Sequence, residues 1–396
     1  MSRVLVVHPN LSVIGGRGKL ALGIIETLLE LNYDVHVLTL SSKNSILKYH
    51  TYSNIPILKI INRIKIINPH LNKLERKLLH NTKLPRMFTE YHIIPSIIEK
   101  TLEKIQKYYD LTINTHGQKL YLTGDINYVH FPIVASFSEK HLFENHIGKS
   151  KSVFKKVYYS FIKFLVLKNF YRVKKGSIML ANSRFTAKYI YKYYKLYPII
   201  VYPFITNMDE FLKLSKNSNR KNYVLSIGRI SPEKNYYIIP QIARYSKKVK
   251  KFIIVGSTYS ASYKIIYDIL RNATMLGVRD KIVFVPNADY KTLQLLLSRS
   301  KVFLHTMRYE HFGIAVVESM ASGLIPVVHK SGGPWIDIID KGKYGLGYED
   351  VEEAAQHIDF LVEKYNSKYV SYVTARAKVF DKNNFRRDII KILEDI

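Results

Sequence analysis

Residues 310–337 read E-H-F-G-I-A-V-V-E-S-M-A-S-G-L-I-P-V-V-H-K-S-G-G-P-W-I-D. Two glutamates, Glu310 and Glu318, stand eight positions apart among four glycines and two prolines. Ile314, Val316, Val317, Met320 and Ala321 fall on one helical face, so a helix starts at Phe312-Gly313 and carries Glu318 just past its first turn. Glu310 comes from the loop before it. Gly323 closes the helix, residues 325–328 (I-P-V-V) read as a short buried strand, and Ser331-Gly332-Gly333-Pro334 forms a second glycine turn. Loop, helix, strand and glycine turn in this order predict a ligand site on an α/β scaffold.

Working upstream, the same alternation recurs. Residues 223–227 form a strand that opens onto Gly228-Arg229-Ile230-Ser231-Pro232-Glu233-Lys234-Asn235, and strands follow at 251–255, 281–285 and 302–305. Before them lies a polar, turn-rich connector at 206–221. The first half repeats the plan: a strand at 3–7, a loop with Gly15-Gly16-Arg17-Gly18, a helix at 20–31 and a strand at 33–38. Gly15 and Gly16 free backbone amides ahead of a helix start, which makes that loop an anion site. It is not a G-x-G-x-x-G fingerprint, and a tight structural turn explains it nearly as well. Further strands are expected at 57–61 (after Pro56), 110–114, 126–131, 177–181 and 199–204, with basic amphipathic helices at 73–79 and 93–108. Two doubly wound parallel-sheet domains are therefore expected, which suits a chain of 396 residues.

Composition narrows the partners. With 61 Lys and Arg against 31 Asp and Glu, the net charge is +30, and two-thirds of that excess lies in the first 200 residues. Such a field favours nucleotides, anionic headgroups or nucleic acid, although much of it is solvated surface lysine. No nucleic-acid recognition motif accompanies it, so no nucleic-acid partner is expected. The absence of cysteine removes disulfides and thiolate metal sites. The apolar run at the N-terminus is short for a signal peptide, and no window is long and apolar enough to cross a bilayer. Residues 153–173 stand apart. Val153, Phe154, Val157, Phe161, Phe164 and Leu165 recur at helical spacing, rimmed by Lys151, Lys155, Lys156, Lys163 and Lys168 and by no acid. This pattern predicts an interfacial helix on an anionic membrane; the alternative is a core helix whose lysines snorkel outward. A cytoplasmic protein, peripheral on a membrane surface, is the expectation.

G-G near the N-terminus, G-R-x-x-x-x-K at 228–234 and E-x7-E within E-H-F-G-I-x-x-x-E-x-M-A-x-G-x-I-P-V together resemble family 4 of the glycosyltransferases. The resemblance runs in order along the whole chain. It implies a retaining enzyme of the GT-B fold, with two facing Rossmann-like domains and a nucleotide sugar in the cleft between them. The division implied is 1–203, completed by the last helix at 380–396, and 204–379. Y-V-H-F-P at 128–132 and H-K-S-G-G-P-W-I-D-I look most like the GDP-mannose-dependent mannosyltransferases that extend lipid-linked oligosaccharides. Arg17-Gly18-Lys19 departs from the family by being unusually basic, and residues 41–108 match no pattern of it.

A cleaving sugar–phosphate bond leaves extra negative charge on the diphosphate, and Arg229 and Lys234 are the cations to hold it. Amides at Gly15-Gly16 and at the helix start of Gly313 complete the cradle, and the resemblance also sets Phe312 and Ile314 on the donor. It assigns Glu310 to the donor sugar and Glu318 to the ribose, whose vicinal diol a carboxylate can bind twice. It gives His130 a hydrogen bond to the sugar or to its developing charge, with His116 and His311 as neighbours. No D-x-D pair is present, so no metal and no cofactor are expected. A glycoside hydrolase pair fits poorly among phosphate-binding elements, and a phosphorylase lacks its pyridoxal-phosphate lysine signature. A GT-B epimerase and a basic nucleic-acid-binding protein are the remaining alternatives.

Overall fold

The β-branched runs pair as parallel strands, and strands covered on both faces are apolar almost without interruption. The computed structural model describes residues 2–12, 15–52, 57–81, 84, 86–146 and 153–396. It divides into two units, Met1–Phe204 with Lys382–Ile396, and Ile205–Asp381. Phe380 belongs to the second unit, because its ring packs on Phe312 at 5.4 Å and its carbonyl accepts from the Ile205 amide at 3.1 Å.

The first unit holds β1 (Arg3–Val7), β2 (Asp34–Leu38), β3 (Lys65–Ile67), β4 (Leu111–Asn114), β5 (Ile126–Val129), β6 (Ile178–Ala181) and β7 (Ile199–Ile200). Their order is β3-β2-β1-β4-β5-β6-β7, all parallel. The chain runs outward from β1 to β3 and returns to β4, so the order reverses between β1 and β4. The first helix, Gly16–Glu30, lies against the sheet and receives the last helix, Lys382–Glu394. Phe385, Ile389 and Ile392 join the core beside Ile24 and Phe204. Lys382 and Arg386 pair with Glu26 and Glu30, each at 2.6 Å.

Three sequence expectations are corrected here. Residues 57–61 form a helix, Ile57–Ile61, and the strand comes later at Lys65–Ile67. Ile57, Ile60 and Ile61 are all buried, a spacing of three and four that serves a helix face and not a strand. Residues 93–108 are not one helix: a wide turn at Thr89–Ile93 leads into Ile94–Ile105 and a tight turn at Gln106–Tyr108. The connector at 206–221 contains the helix Met208–Ser215, which buries Met208 and Phe211 and places Asp209 and Glu210 in its first turn, where the dipole favours them.

The basic helix spans Val153–Phe170 and is apolar on two sides. Ile162, Val166 and Phe170 are buried against Ile133, Val134 and Phe137. Phe154, Val157 and Phe164 point outward, 89%, 64% and 61% exposed. Lys151, Pro56 and the Lys155 side chain lie outside the described residues. Among the described residues no helix is long and apolar enough to cross a membrane.

The second unit holds β8 (Lys221–Ile227), β9 (Lys251–Gly256), β10 (Ile282–Pro286), β11 (Ser300–His305), β12 (Ile325–His329) and β13 (Leu346–Tyr348). Their order, β10-β9-β8-β11-β12-β13, is again parallel and reverses between β8 and β11. Open parallel sheets bind ligands beyond the carboxyl ends of their strands at such a reversal. The loops after β8 and β11 are 228–235 and 306–313.

Candidate active site

Lys234 meets Glu310 because those two loops are tied together. Thr306 donates its hydroxyl to the Lys234 carbonyl at 2.5 Å, and the Asn235 amide group reaches the Thr306 carbonyl at 3.4 Å. The Lys234 ammonium then forms an ion pair with the Glu310 carboxylate and lies 3.4 Å from Met307 Sδ. His305, the last residue of β11, brings Nε2 to 3.6 Å from the same carboxylate. Burial alone pushes the Glu310 carboxyl up. Lys234 and His305 together outweigh it and hold the group well below the usual carboxylate range. Glu310 is therefore a fixed anion with its side chain 18% exposed. Arg229, earlier in the same loop, is exposed.

Glu310 is held from behind by the second glycine turn. The Gly333 amide donates to the Glu310 carbonyl at 2.8 Å, and Ser331 Oγ accepts from the Tyr309 amide at 3.0 Å. Gly332 has φ +77°, and a Cβ there would collide with the Glu310 backbone. Gly313 begins the helix Ile314–Ala321 with φ +101°, and its Cβ would lie 2.9 Å from Pro334 Cγ. Side chains at either position are strained by the backbone and blocked by neighbours. Gly323 follows the helix with φ +87°, and Glu318 lies half-buried on it. The Phe312 ring is 4% exposed and packs on Phe380.

Gly15, Gly16, His116 and His130 lie in the first unit, around its own reversal point. Gly15 caps the helix at Gly16, and among the described residues a Cβ on either glycine meets nothing within 4 Å. His8, His116 and His130 follow β1, β4 and β5. Their rings stand 5.2 Å (His8 to His116) and 5.5 Å (His116 to His130) apart. Thr115 joins the outer two. Its hydroxyl donates to the Val7 carbonyl at 3.0 Å, so it accepts from His8 Nδ1 at 2.9 Å. Its carbonyl accepts from His130 Nε2 at 3.2 Å. Arg17 donates to His116 Nε2 at 3.3 Å and to Gln118 at 3.2 Å.

Burial first, and then the Arg17 charge, keep all three rings neutral: His8 is pushed down to about 3, and His116 and His130 fall well below the ordinary histidine value. With its Nε2 proton committed to Thr115, His130 keeps its Nδ1 lone pair as an acceptor. His8, Thr115, Arg17 and His305 were not singled out from the sequence as site residues. For His8 and Thr115 the signal is weak: a polar residue directly after an apolar strand, with its partner 107 positions away.

Residues 207–379 match the family described as Glycosyl transferases group 1. The second unit is a group 1 glycosyl transferase domain. The Lys234–Glu310–His305 cluster lies wholly inside this group 1 domain. Among curated proteins, the chain is 29% identical over 297 residues to a GDP-Man:Man(3)GlcNAc(2)-PP-Dol alpha-1,2-mannosyltransferase of Dictyostelium discoideum, covering 68% of this chain and 58% of that protein. It is 29% identical over 266 residues to the Homo sapiens protein of the same name, covering 59% and 52%. The chain thus spans little more than half the length of these curated relatives. A solved structure of Anabaena HepE in complex with UDP and glucose covers all of both chains, with a TM-score of 0.64 at 16% identity. At that identity the likeness speaks to the fold, which is GT-B.

Proposed function

We propose that this protein is a retaining hexosyltransferase that moves mannose from GDP-mannose to a lipid-linked oligosaccharide. The observation that carries this reading is the Lys234–Glu310–His305 cluster at the reversal point of the group 1 domain. It sets an ammonium for a diphosphate beside a fixed carboxylate for a sugar. The names of the curated relatives favour GDP-mannose and a dolichol-diphosphate oligosaccharide over other pairs.

In this reading Arg229 and Lys234 take up the charge that develops on the departing diphosphate, as oriented cations do in a site shielded from water. Glu310 orients the sugar and faces the positive charge that grows on its ring, while Glu318 holds the ribose diol. His130 accepts from a sugar hydroxyl through Nδ1. Cationic side chains do the work that a divalent metal does elsewhere, so transfer is metal-independent.

The acceptor chemistry calls for a membrane, and the outward face of the Val153–Phe170 helix suits one. Phe154, Val157 and Phe164 are exposed beside Lys156 and Lys163, the combination that enters an anionic headgroup layer. The protein then works as a peripheral enzyme on the cytoplasmic surface.

The test is a donor screen with GDP-mannose, UDP-glucose and UDP-N-acetylglucosamine against a phytanyl- or dolichyl-diphosphate oligosaccharide, with and without EDTA. Transfer of mannose with retained anomeric configuration, unchanged by EDTA, is expected. Transfer from a uridine donor alone overturns the donor, and loss of turnover in EDTA overturns metal independence. Tight duplex-DNA binding at high salt without nucleotide-sugar binding overturns the whole reading.

A further inference from the structure

Arg220 directly precedes β8, at the end of the second sheet opposite the loops that carry Lys234 and Glu310. It is 9% exposed, and among the described residues no carboxylate pairs with it. Carbonyls meet its charge instead. Nη1 donates to the Leu297 carbonyl at 2.9 Å and to the Ser300 carbonyl at 2.5 Å. Nη2 donates to the Leu214 carbonyl at 3.0 Å and to the Ser322 carbonyl. The Tyr365 ring lies 5.9 Å from the guanidinium, and its hydroxyl donates to the Gly323 carbonyl at 2.8 Å.

These carbonyls belong to the ends of three helices. Met208–Ser215 leads into β8, Tyr290–Arg299 into β11 and Ile314–Ala321 into β12, so all three finish at the same end of a parallel sheet. The last carbonyls of a helix have no partner within it and carry the negative end of its dipole. A planar guanidinium, with its donors in a fixed fork, serves all three ends at once; an ammonium is a single point of charge. Gly323 shows how closely the segments approach. Its φ is +87°, and a Cβ there would lie 3.0 Å from Arg220 Nη2 and from Ser215 Cβ. Where the helices begin, Tyr290 donates its hydroxyl to Glu210 at 2.7 Å.

The Ile314–Ala321 helix joins this junction to Glu318. Ser322 donates its amide at 3.1 Å and its hydroxyl at 2.9 Å to the Glu318 carbonyl, and the Ser322 carbonyl is held by Arg220. Val316, Val317 and Met320 bury one face of the helix, but apolar burial is non-directional and tolerates a slide along the axis. The directional bond from Arg220 removes that freedom. We propose that Arg220 is a positioning residue for donor binding: by fixing the end of the Ile314–Ala321 helix through Ser322, it sets the Glu318 carboxylate where it meets both hydroxyls of the nucleotide ribose. This rests on the assignment of Glu318 to the ribose in the function proposed above. Arg220 touches no substrate and acts through Glu318.

The experiment is calorimetric titration of the full chain with GDP and with 2′,3′-dideoxy-GDP, below the melting onset of each variant. In the parent, GDP should bind about tenfold or more tightly than the dideoxy nucleotide, the worth of hydrogen bonds to a charged group. Glu318→Ala should bring the two affinities within about threefold of each other. Arg220→Lys, which keeps the charge and loses the fork, should do the same, with dideoxy-nucleotide binding held within about threefold of the parent. Arg220→Gln serves if Arg220→Lys fails to melt cooperatively. Ile269→Ala, a buried truncation in the helix Ser262–Met275, should lower stability and keep the full ratio. A folded Arg220 variant with the parent ratio overturns the proposal and leaves the ribose site standing. Loss of the ratio in Ile269→Ala overturns it too, because destabilisation alone then accounts for the effect. A parent that binds both nucleotides equally, or neither, overturns the ribose-site reading and this inference with it.

Discussion

Lys234 and Glu310 form one ion pair that bears on stability and, in the proposed function, on chemistry. Lys234→Ala removes the main compensation of a half-buried carboxylate and, in the proposed function, a donor to the departing diphosphate. Turnover with the nucleotide sugar should fall by about 10²–10³-fold, the loss seen when one oriented donor is removed. Stability of the second unit should fall by about 1–3 kcal/mol, read as a lower urea midpoint. The double variant Lys234→Ala/Glu310→Gln should regain part of that stability and none of the activity, because its carboxamide needs no counter-charge. Glu310→Gln alone should keep the fold and lose transfer. The histidines of the first unit give a residue-scale pH dependence. Unfolded, His8 titrates at its ordinary 6.5; folded, it stays neutral down to about 3. The unfolded state therefore binds more protons across that window, and the stability this histidine contributes is present above it and lost as pH falls. The slope is about 1.4 kcal/mol per pH unit for each such ring. Thermal unfolding from pH 7 to pH 5 should show the decline, and His8→Gln should flatten it.

At the scale of elements, the turn at Ser331–Pro334 and the loop at 306–313 behave as one piece. Gly332→Ala places a Cβ against the Glu310 backbone in a left-handed conformation. A cost of about 1–3 kcal/mol is expected, together with a drop in turnover larger than the fraction unfolded explains, since the displaced residue is Glu310. Comparing activity with circular dichroism at a temperature where the variant is fully folded separates the two. The Val153–Phe170 helix makes the opposite kind of test, because one apolar side is buried and the other exposed. Ile162→Ala empties a buried site and should cost about 2–4 kcal/mol. Phe154→Ser with Phe164→Ser alters only exposed residues, so stability should hold within about 0.5 kcal/mol, while flotation with anionic vesicles should be lost. Vesicle binding unchanged in that variant removes this helix as the membrane element.

For the molecule as a whole, the last helix folds with the sheet that the chain began. Removing residues 382–396 takes Phe385, Ile389 and Ile392 from the first unit's core and strips Glu26 and Glu30 of their partners. The truncated chain should melt in two steps, the earlier one belonging to the first unit, while the second unit, whose residues all remain, keeps its transition. A single transition at the parent temperature in scanning calorimetry contradicts this.

Alternation of β-branched runs with helical periods was legible along the chain, because burial on both faces of a parallel sheet demands it; Gly313, Gly323 and Gly332 were legible because their positive φ favours glycine, and E-x7-E because it resembles a known family's motif. Ile57–Ile61 and Met208–Ser215 were misread, since short apolar or polar runs carry no period strong enough to decide helix from strand or loop. The sequence by itself determined the two-sheet plan, the helix start at Gly313 and the identity of Lys234, Glu310 and Glu318 as candidates. Only the tertiary structure decided that Lys234 closes on Glu310 with His305 behind it, that Phe312 turns inward, and that His8, His116 and His130 share one neutral cluster. The reason is physical: each of those facts depends on contacts between segments far apart in the chain, and sheet order is set by the packing of such segments.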